Sequence, residues 1–252
     1  MDGTIRVATY NIRKCIGLDR RRRPERIIEA ITGLEAEVVA LQEADKRLGR
    51  RPAALRAELV TRHTDLVPAR LPDAGPSIGW HGNAILVHRR HRIRAVTPLS
   101  LPALEPRGAL VADISVDGDD ARPMRVVAVH LGLTRQHRQR QLHAIMAAIG
   151  AMAPRPTVIL GDFNEWSARK GLDPIRPDFV VHAPGRSYHA ARPVAALDRI
   201  AHCHRMTLRD AGVTETPLTR IASDHLPVWA DLEVDWRRAP ETRAAAASGV
   251  SR

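Results

Sequence analysis

The stretch TVILGDFNEW, residues 157–166, sets Val158, Ile159 and Leu160 directly against Gly161, Asp162, Phe163 and Asn164. The aliphatic run reads as a buried strand. The polar residues at its end are not ordinary turn chemistry. A carboxylate and a carboxamide stand two residues apart, a spacing that aims both at one face of an extended segment. Gly161 is the small residue that lets the backbone turn there without crowding.

Similar apolar runs recur along the chain, at 5–11, 37–43, 83–88, 109–116, 125–131, 197–202 and 227–234. Val and Ile are frequent in them and polar residues bound each one, as in strands. Two helical patterns lie between. Residues 23–34 begin at Pro24 and repeat Ile27, Ile28 and Ile31 on one face, with proline suited to a first helical turn. Residues 134–150 carry Leu142, Ile145, Met146 and Ile149 at helical spacing before Gly150, with Thr134 as a candidate cap. That stripe is read as core packing. Residues 109–131 read as two strands around a turn at Asp117–Asp120, hence an antiparallel hairpin. Strands alternating with helices, plus a hairpin, predict an α/β protein with mixed sheets. The Pro-rich stretches 68–79 and 172–186 are expected to be surface loops. One domain is expected over residues 1–236, with residues 237–252 a disordered tail.

At 252 residues the chain is long enough to bury a core without staples. Its two cysteines, Cys15 and Cys203, form no metal-binding spacing and no disulfide framework, so a reducing cytoplasm is the expected location. The N-terminus has no signal-like apolar segment, and no apolar run is long enough to span a membrane. The net charge of +11 invites an acidic partner. Only Lys14, Lys46 and Lys170 are lysines among 39 basic residues, which favours a general bias toward arginine over a dedicated nucleic-acid patch. The 3% aromatic content also argues against extensive base stacking.

The polar residues fall at strand ends. Asn11 closes the first run, Glu43 follows the second, and His130 lies near the end of the run at 125–131. Asp162 and Asn164 follow 157–161, Asp198 opens the run at 197–202, and Ser223, Asp224 and His225 precede the last. Each alone has an ordinary explanation as a turn, cap or core residue. Gathered at one edge, they make a basin of carboxylates, amides and imidazoles. Such oxygen-rich clusters suit a hard divalent cation, Mg²⁺ or Mn²⁺, that binds phosphate oxygens. Structural zinc is disfavoured by the lack of thiolates.

Taken in order, ATYNIR, ALQEAD, HGNAILV, VAVHLGL, VILGDFNEW, LDRI and SDHLPVWADL resemble the endonuclease/exonuclease/phosphatase superfamily of deoxyribonuclease I-like proteins, as a small stand-alone bacterial-type member. The likeness runs from residue 5 to 234, and the pairing of GDFN with SDH is its most specific part. It implies a four-layer α/β sandwich, two packed mixed β-sheets with helices outside. It implies metal ligation by Glu43, with Asn11 beside it and Asp224 as a further ligand. Asp162 is implied as the group that orients and deprotonates the attacking water, and Asn164 as an amide on the scissile phosphate. His225 is implied to face the phosphoryl oxygen, held by Asp198, and His130 to donate to phosphate. Asn83, Arg13 and Arg199 are expected to meet substrate, Arg199 standing where a tyrosine is more usual. Asp224 and His225 are adjacent, so they share a site only on a bent loop.

The expected activity is Mg²⁺-dependent hydrolysis of a phosphodiester in nucleic acid or a related soluble diester. The alternative is a phospholipase-C-like hydrolase of a phospholipid headgroup, touching a membrane peripherally. A phosphomonoesterase or a non-catalytic binding module ranks lower. A monomer is expected. Arg135, Arg138 and Arg140 read as a solvated helix face, whereas the basic run 19–23 lies on the loop after Asn11 and is the better candidate for substrate contact.

Overall fold

Along β8 (Thr157–Asp162) the side chains alternate between two hydrophobic cores, and this alternation positions the whole site. Val158 and Leu160 enter one core while Ile159 enters another on the opposite face. Asp162 keeps the parity of Val158 and Leu160.

The computed structural model describes residues 3–46, 51–72, 75–102, 107–167 and 170–237. In chain order its other elements are β1 (Thr4–Asn11), α1 (Pro24–Thr32), β2 (Val38–Gln42), α2 (Ala57–His63), β3 (Leu66–Pro68), β4 (Ala84–His88), β5 (Arg92–Leu101), β6 (Arg107–Ser115), β7 (Pro123–His130), α3 (Arg135–Gly150), β9 (Phe179–His182), β10 (Asp198–Cys203), β11 (Met206–Val213), α4 (Thr219–Ala222) and β12 (Val228–Val234).

They form two six-stranded sheets, ordered β11-β12-β1-β2-β4-β3 and β5-β6-β7-β8-β10-β9. Each sheet has one parallel pair at its centre, β1/β2 and β7/β8, and antiparallel pairs elsewhere. A parallel pair requires a crossover, and α1 and α3 supply the two. The carboxyl ends of a parallel pair lie side by side. Asn11 is therefore level with Gln42 in the first sheet, and His130 with Asp162 in the second.

Three hydrophobic cores separate four layers. The central one lies between the sheets and contains Val7, Val38, Val126, Leu160, Ile200 and Val228. A second lies under α1 and includes Tyr10, Ile27, Ile31 and Leu41. The third lies under α3 and includes Val127, Leu142, Ile145, Ile159 and Phe163. This is the expected α/β sandwich. Thr134 caps α3 by accepting from the His137 amide at 3.4 Å.

The structure departs from the sequence pattern in places. β2 ends at Gln42, and Glu43 turns out of the strand with φ of 55°. Strand β9 lies inside the stretch 172–186 expected to be a loop, and β3 reaches into 68–79, where Ser77 and Ile78 are buried. Strands β5 and β11, with α2 and α4, come without a clear apolar pattern. β5 is an edge strand in which only Leu101 is buried, so its sequence shows little apolar signal. Residues 238–252, most of the expected tail, lie outside the described residues. No helix among the described residues is long and apolar enough to cross a membrane.

Candidate active site

The parity seen in β8 holds in its neighbours. Ile5 and Val7 of β1, Val38 and Ala40 of β2, Val126 and Ala128 of β7, and Ile200 of β10 all face the inter-sheet core. Continuing each alternation to the strand end delivers Asn11, Gln42, His130, Asp162 and Asp198 into the same layer. The polar basin is thus the last layer of the central core. Its members touch across the seam. Asn11 Nδ2 donates to Asp162 Oδ2 at 3.1 Å, linking one sheet to the other. His130 and Asp198 flank Asp162 in register, and His130 Nε2 lies 3.4 Å from Asp162 Oδ2.

His225 completes the cluster from the segment between α4 and β12. Its Nδ1 lies 2.8 Å from Asp198 Oδ2, and its Nε2 lies 3.7 Å from Asp162 Oδ2. The segment is bent, not extended. Ser223 donates to the Asn11 carbonyl at 2.6 Å, and His225 forms an isolated bridge with Tyr188. Asp224 faces Arg13, whose Nε is 3.4 Å from Asp224 Oδ2.

Asn164 is held rather than free. Its amide N–H donates to Asp162 Oδ1 at 2.9 Å, and its side-chain Nδ2 donates to the Leu131 carbonyl at 2.9 Å. Its φ is 51°. Positive φ is costly for a side-chain-bearing residue and gathers at functional sites. Of ten such non-glycine residues among those described, Arg13, Lys14, Cys15, Glu43 and Asn164 lie in the turns directly after β1, β2 and β8. Half of the backbone strain of this kind thus borders the basin. The turn after β1 carries Lys14 onto Glu43, where ammonium and carboxylate form an ion pair.

Gly161 has φ of 153°, and a Cβ there would sit 1.9 Å from the Val129 carbonyl oxygen. The constraint is closer packing than a simple turn demands, since β7 passes directly beside it.

The charges are coupled. Burial is the main reason that the Asp162 carboxyl is pushed up to about 6, with Asp198 adding to it and His225 opposing. Burial pulls the His225 imidazole down, but Asp198, Asp162 and Asp224 outweigh it and raise the group to about 10. Near neutral pH the proton therefore resides on His225, beside an ionised Asp162.

Two expected substrate contacts are placed differently. Arg199 neighbours Asp198 on β10, so alternation turns it to the opposite face. It is buried and donates to the carbonyls of Glu165 at 3.0 Å and Ser167 at 3.2 Å. This corrects its reading as a substrate-facing residue. Asn83 is also buried, and its Nδ2 donates to the Gly108 carbonyl at 2.8 Å, joining β4 to β6. Arg138 leaves the expected solvated face: it is buried and pairs with Glu165 at 2.7 Å. Arg135 and Arg140 remain exposed.

Three contributors had no sequence signal. Ser187 donates to Asp198 Oδ2 at 2.5 Å, Tyr188 lies 4.9 Å from the His225 ring, and Lys14 covers Glu43. Only the folded loops bring them there.

Residues 8–225 match the profile of the Endonuclease/Exonuclease/phosphatase family. The chain belongs to that family. Family members hydrolyse phosphoesters. The curated relatives include the uncharacterized protein YbhP of Escherichia coli (strain K12), 28% identical, with 92% of this chain and 97% of the relative covered. Among solved structures, the human nocturnin catalytic domain with bound sulfate anion is similar at 20% identity and a TM-score of 0.70, covering 93% of this chain and 96% of that one. TDP2 of D. rerio complexed with single-strand DNA product gives 16% identity and a TM-score of 0.66, with 92% and 100% covered. The mannosyl-6-phosphatase Bt3783 of Bacteroides thetaiotaomicron gives 15% and 0.66, with 90% and 99% covered. At these identities the structural likenesses establish the shared fold alone.

Proposed function

We propose that the protein is a divalent-metal-assisted phosphodiesterase that hydrolyses its substrate by in-line attack of water. The observation that carries the reading is the buried Asp162–His225 pair, with Asp198 behind the imidazole and Asn11 bridging the sheets.

Ionised Asp162 is the base that orients and accepts a proton from the attacking water. Its acceptance of two amide hydrogen bonds, from Asn11 and the Asn164 backbone, holds the carboxylate in one orientation. His225, charged because Asp198 faces its Nδ1, presents Nε2–H toward the phosphoryl oxygen and stabilises the charge that develops there. His130 donates to a neighbouring phosphate oxygen. Arg13 stands at the mouth beside Asp224 as a substrate contact.

The family's requirement for a cation is tested by the donor set. Among the described residues no three His, Cys, Asp or Glu side chains are arranged as a metal cluster. Mg²⁺ needs only one or two protein carboxylates, with water and substrate phosphate completing its shell. Glu43 is such a carboxylate, and the Lys14 ammonium already against it marks a place that calls for positive charge. The oxygen donors fit Mg²⁺ or Mn²⁺. Glu43, with Asn11 and Asp224, would hold the ion, which when bound neutralises charge on phosphoryl oxygens.

The deciding experiment measures hydrolysis of bis-p-nitrophenyl phosphate by the purified protein in Mg²⁺, alongside Asp162→Ala and His225→Ala. Each variant is expected to lose about 10²- to 10⁴-fold in turnover with an unchanged far-UV CD spectrum. Full activity in either folded variant rejects the assignment. Plasmid DNA and mixed liposomes in the same panel separate a nucleic-acid diester from a phospholipid headgroup. A distinct surface feature favours the latter.

A further inference from the structure

Five large hydrophobic residues are exposed among the described residues: Leu133 at 69%, Trp166 at 65%, Val194 at 54%, Ile221 at 47% and Val180 at 40%. Val180 lies on the edge strand β9. The other four sit on four separate segments, and all four segments end or begin strands at the edge where the basin opens. Leu133 follows β7, Trp166 follows β8, Val194 precedes β10 and Ile221 precedes β12.

Local contacts tie these positions to the basin. The Trp166 ring stands edge-on to Tyr188 at 6.2 Å, and Tyr188 packs on His225 at 4.9 Å. The Val194 amide donates to the Tyr188 carbonyl at 2.6 Å. Leu133 is held from behind by Arg138, which donates to its carbonyl at 2.6 Å and pairs with Glu165, the residue before Trp166. The Ile221 carbonyl accepts from Leu18, on the loop after Asn11.

Exposed arginines stand among them: Arg20 on that loop, Arg135 two residues after Leu133, and Arg192 two before Val194. Of the exposed acids on these segments, Asp19 and Glu215 are paired with Arg26 and Arg220, and Asp173 lies seven residues beyond Trp166. An apolar rim studded with arginine matches an anionic bilayer interface, where apolar side chains enter the acyl boundary and cations meet headgroup phosphates. Nucleic acid would use the arginines but gives little to Leu133, Val194 and Ile221, which have no aromatic face for a base.

We propose that this rim docks the protein on an anionic phospholipid bilayer, so that the basin faces the headgroup layer and its substrate is a headgroup phosphodiester. The substrate part of the proposal rests on the phosphodiesterase reading; the docking part does not.

The test is co-sedimentation of the full chain with vesicles of phosphatidylcholine alone or mixed equally with phosphatidylglycerol, together with Trp166 fluorescence assigned by a Trp166→Phe variant. Binding to the mixed vesicles with a blue shift that is absent in Trp166→Phe is expected. Leu133→Asp combined with Val194→Asp is expected to weaken that binding about tenfold or more while soluble bis-p-nitrophenyl phosphate is still turned over. Wild-type protein that stays in the supernatant, or a double variant that binds as well as wild type, overturns docking. Binding of a single-stranded oligonucleotide that is lost in Trp166→Ala, with no vesicle binding, assigns the rim to nucleic acid instead. Vesicle binding without turnover of any diester leaves docking standing and rejects the hydrolase reading separately.

Discussion

Replacing Asp198 by asparagine removes one negative charge while keeping an oxygen able to accept from both Ser187 and His225 Nδ1. Asp198 is the largest influence raising the imidazole. Holding His225 near 10 instead of its ordinary 6.5 takes a preference for the charged form of roughly 5 kcal/mol, at about 1.36 kcal/mol per pH unit. The folded-state value lies above the unfolded one, so this contribution to stability is fully present below about 6.5 and is lost as pH rises through about 10. Loss of the facing charge is expected to lower the imidazole by about two to three pH units. If the imidazolium is the form that stabilises the phosphoryl charge, Asp198→Asn should be nearly silent near pH 6.5. At pH 9 it should cut turnover about thirtyfold, from the change in charged fraction alone. The checks are a pH–rate profile of both proteins and NMR titration of the His225 ring with and without Mg²⁺. A loss of equal size at every pH, or a wild-type ring that titrates near its ordinary value, refutes the reasoning.

On the acid side, wild-type turnover is expected to fall below about pH 6, where Asp162 gains its proton; an acid limb absent from the same profile would remove Asp162 as base. Chelation with EDTA should abolish hydrolysis of bis-p-nitrophenyl phosphate, and added Mg²⁺ or Mn²⁺ should restore it, as read by release of nitrophenolate. Glu165→Gln breaks the buried ion pair with Arg138 and should destabilise the fold by about 3–5 kcal/mol, measured by urea denaturation. Gly161→Ala drives a methyl into the Val129 carbonyl and should cost more than about 4 kcal/mol or prevent folding; a thermal melt close to wild type would contradict the packing described for β7 and β8.

The central strands were legible because both of their faces are buried. β2 and β8 read as near-continuous apolar runs, and β1 and β7 as such runs interrupted by Arg6 and Arg125. The edge strands were not, because β5 and β11 each bury only one residue and owe their conformation to a neighbour. Asn11, His130, Asp162, Asp198 and His225 were legible as a class, polar residues where apolar runs stop. Which of them meet depended on register across two sheets, which no local pattern encodes. Simple alternation beside Asp198 already turns Arg199 away from the basin, whereas a likeness to family motifs alone pointed it inward. The turns that bring Lys14 to Glu43 and shape Asn164 run through positive φ at non-glycine residues, a conformation that composition does not announce.

The sheet that holds Asn11 is closed from both directions along the chain. β12 inserts beside β1, pairing Thr4 with Glu233 and Thr9 with Val228, and His225 arrives on the segment just before it. During synthesis the first strand, once paired with β2 on one side, must therefore wait for its second partner until more than two hundred further residues have left the ribosome. Asp162 and Asp198 will have emerged by then, yet they lack the imidazole opposite them. A nascent chain of this protein therefore lacks the assembled basin, which is complete only once His225 and the strand after it have emerged to meet Asp198 and Asp162.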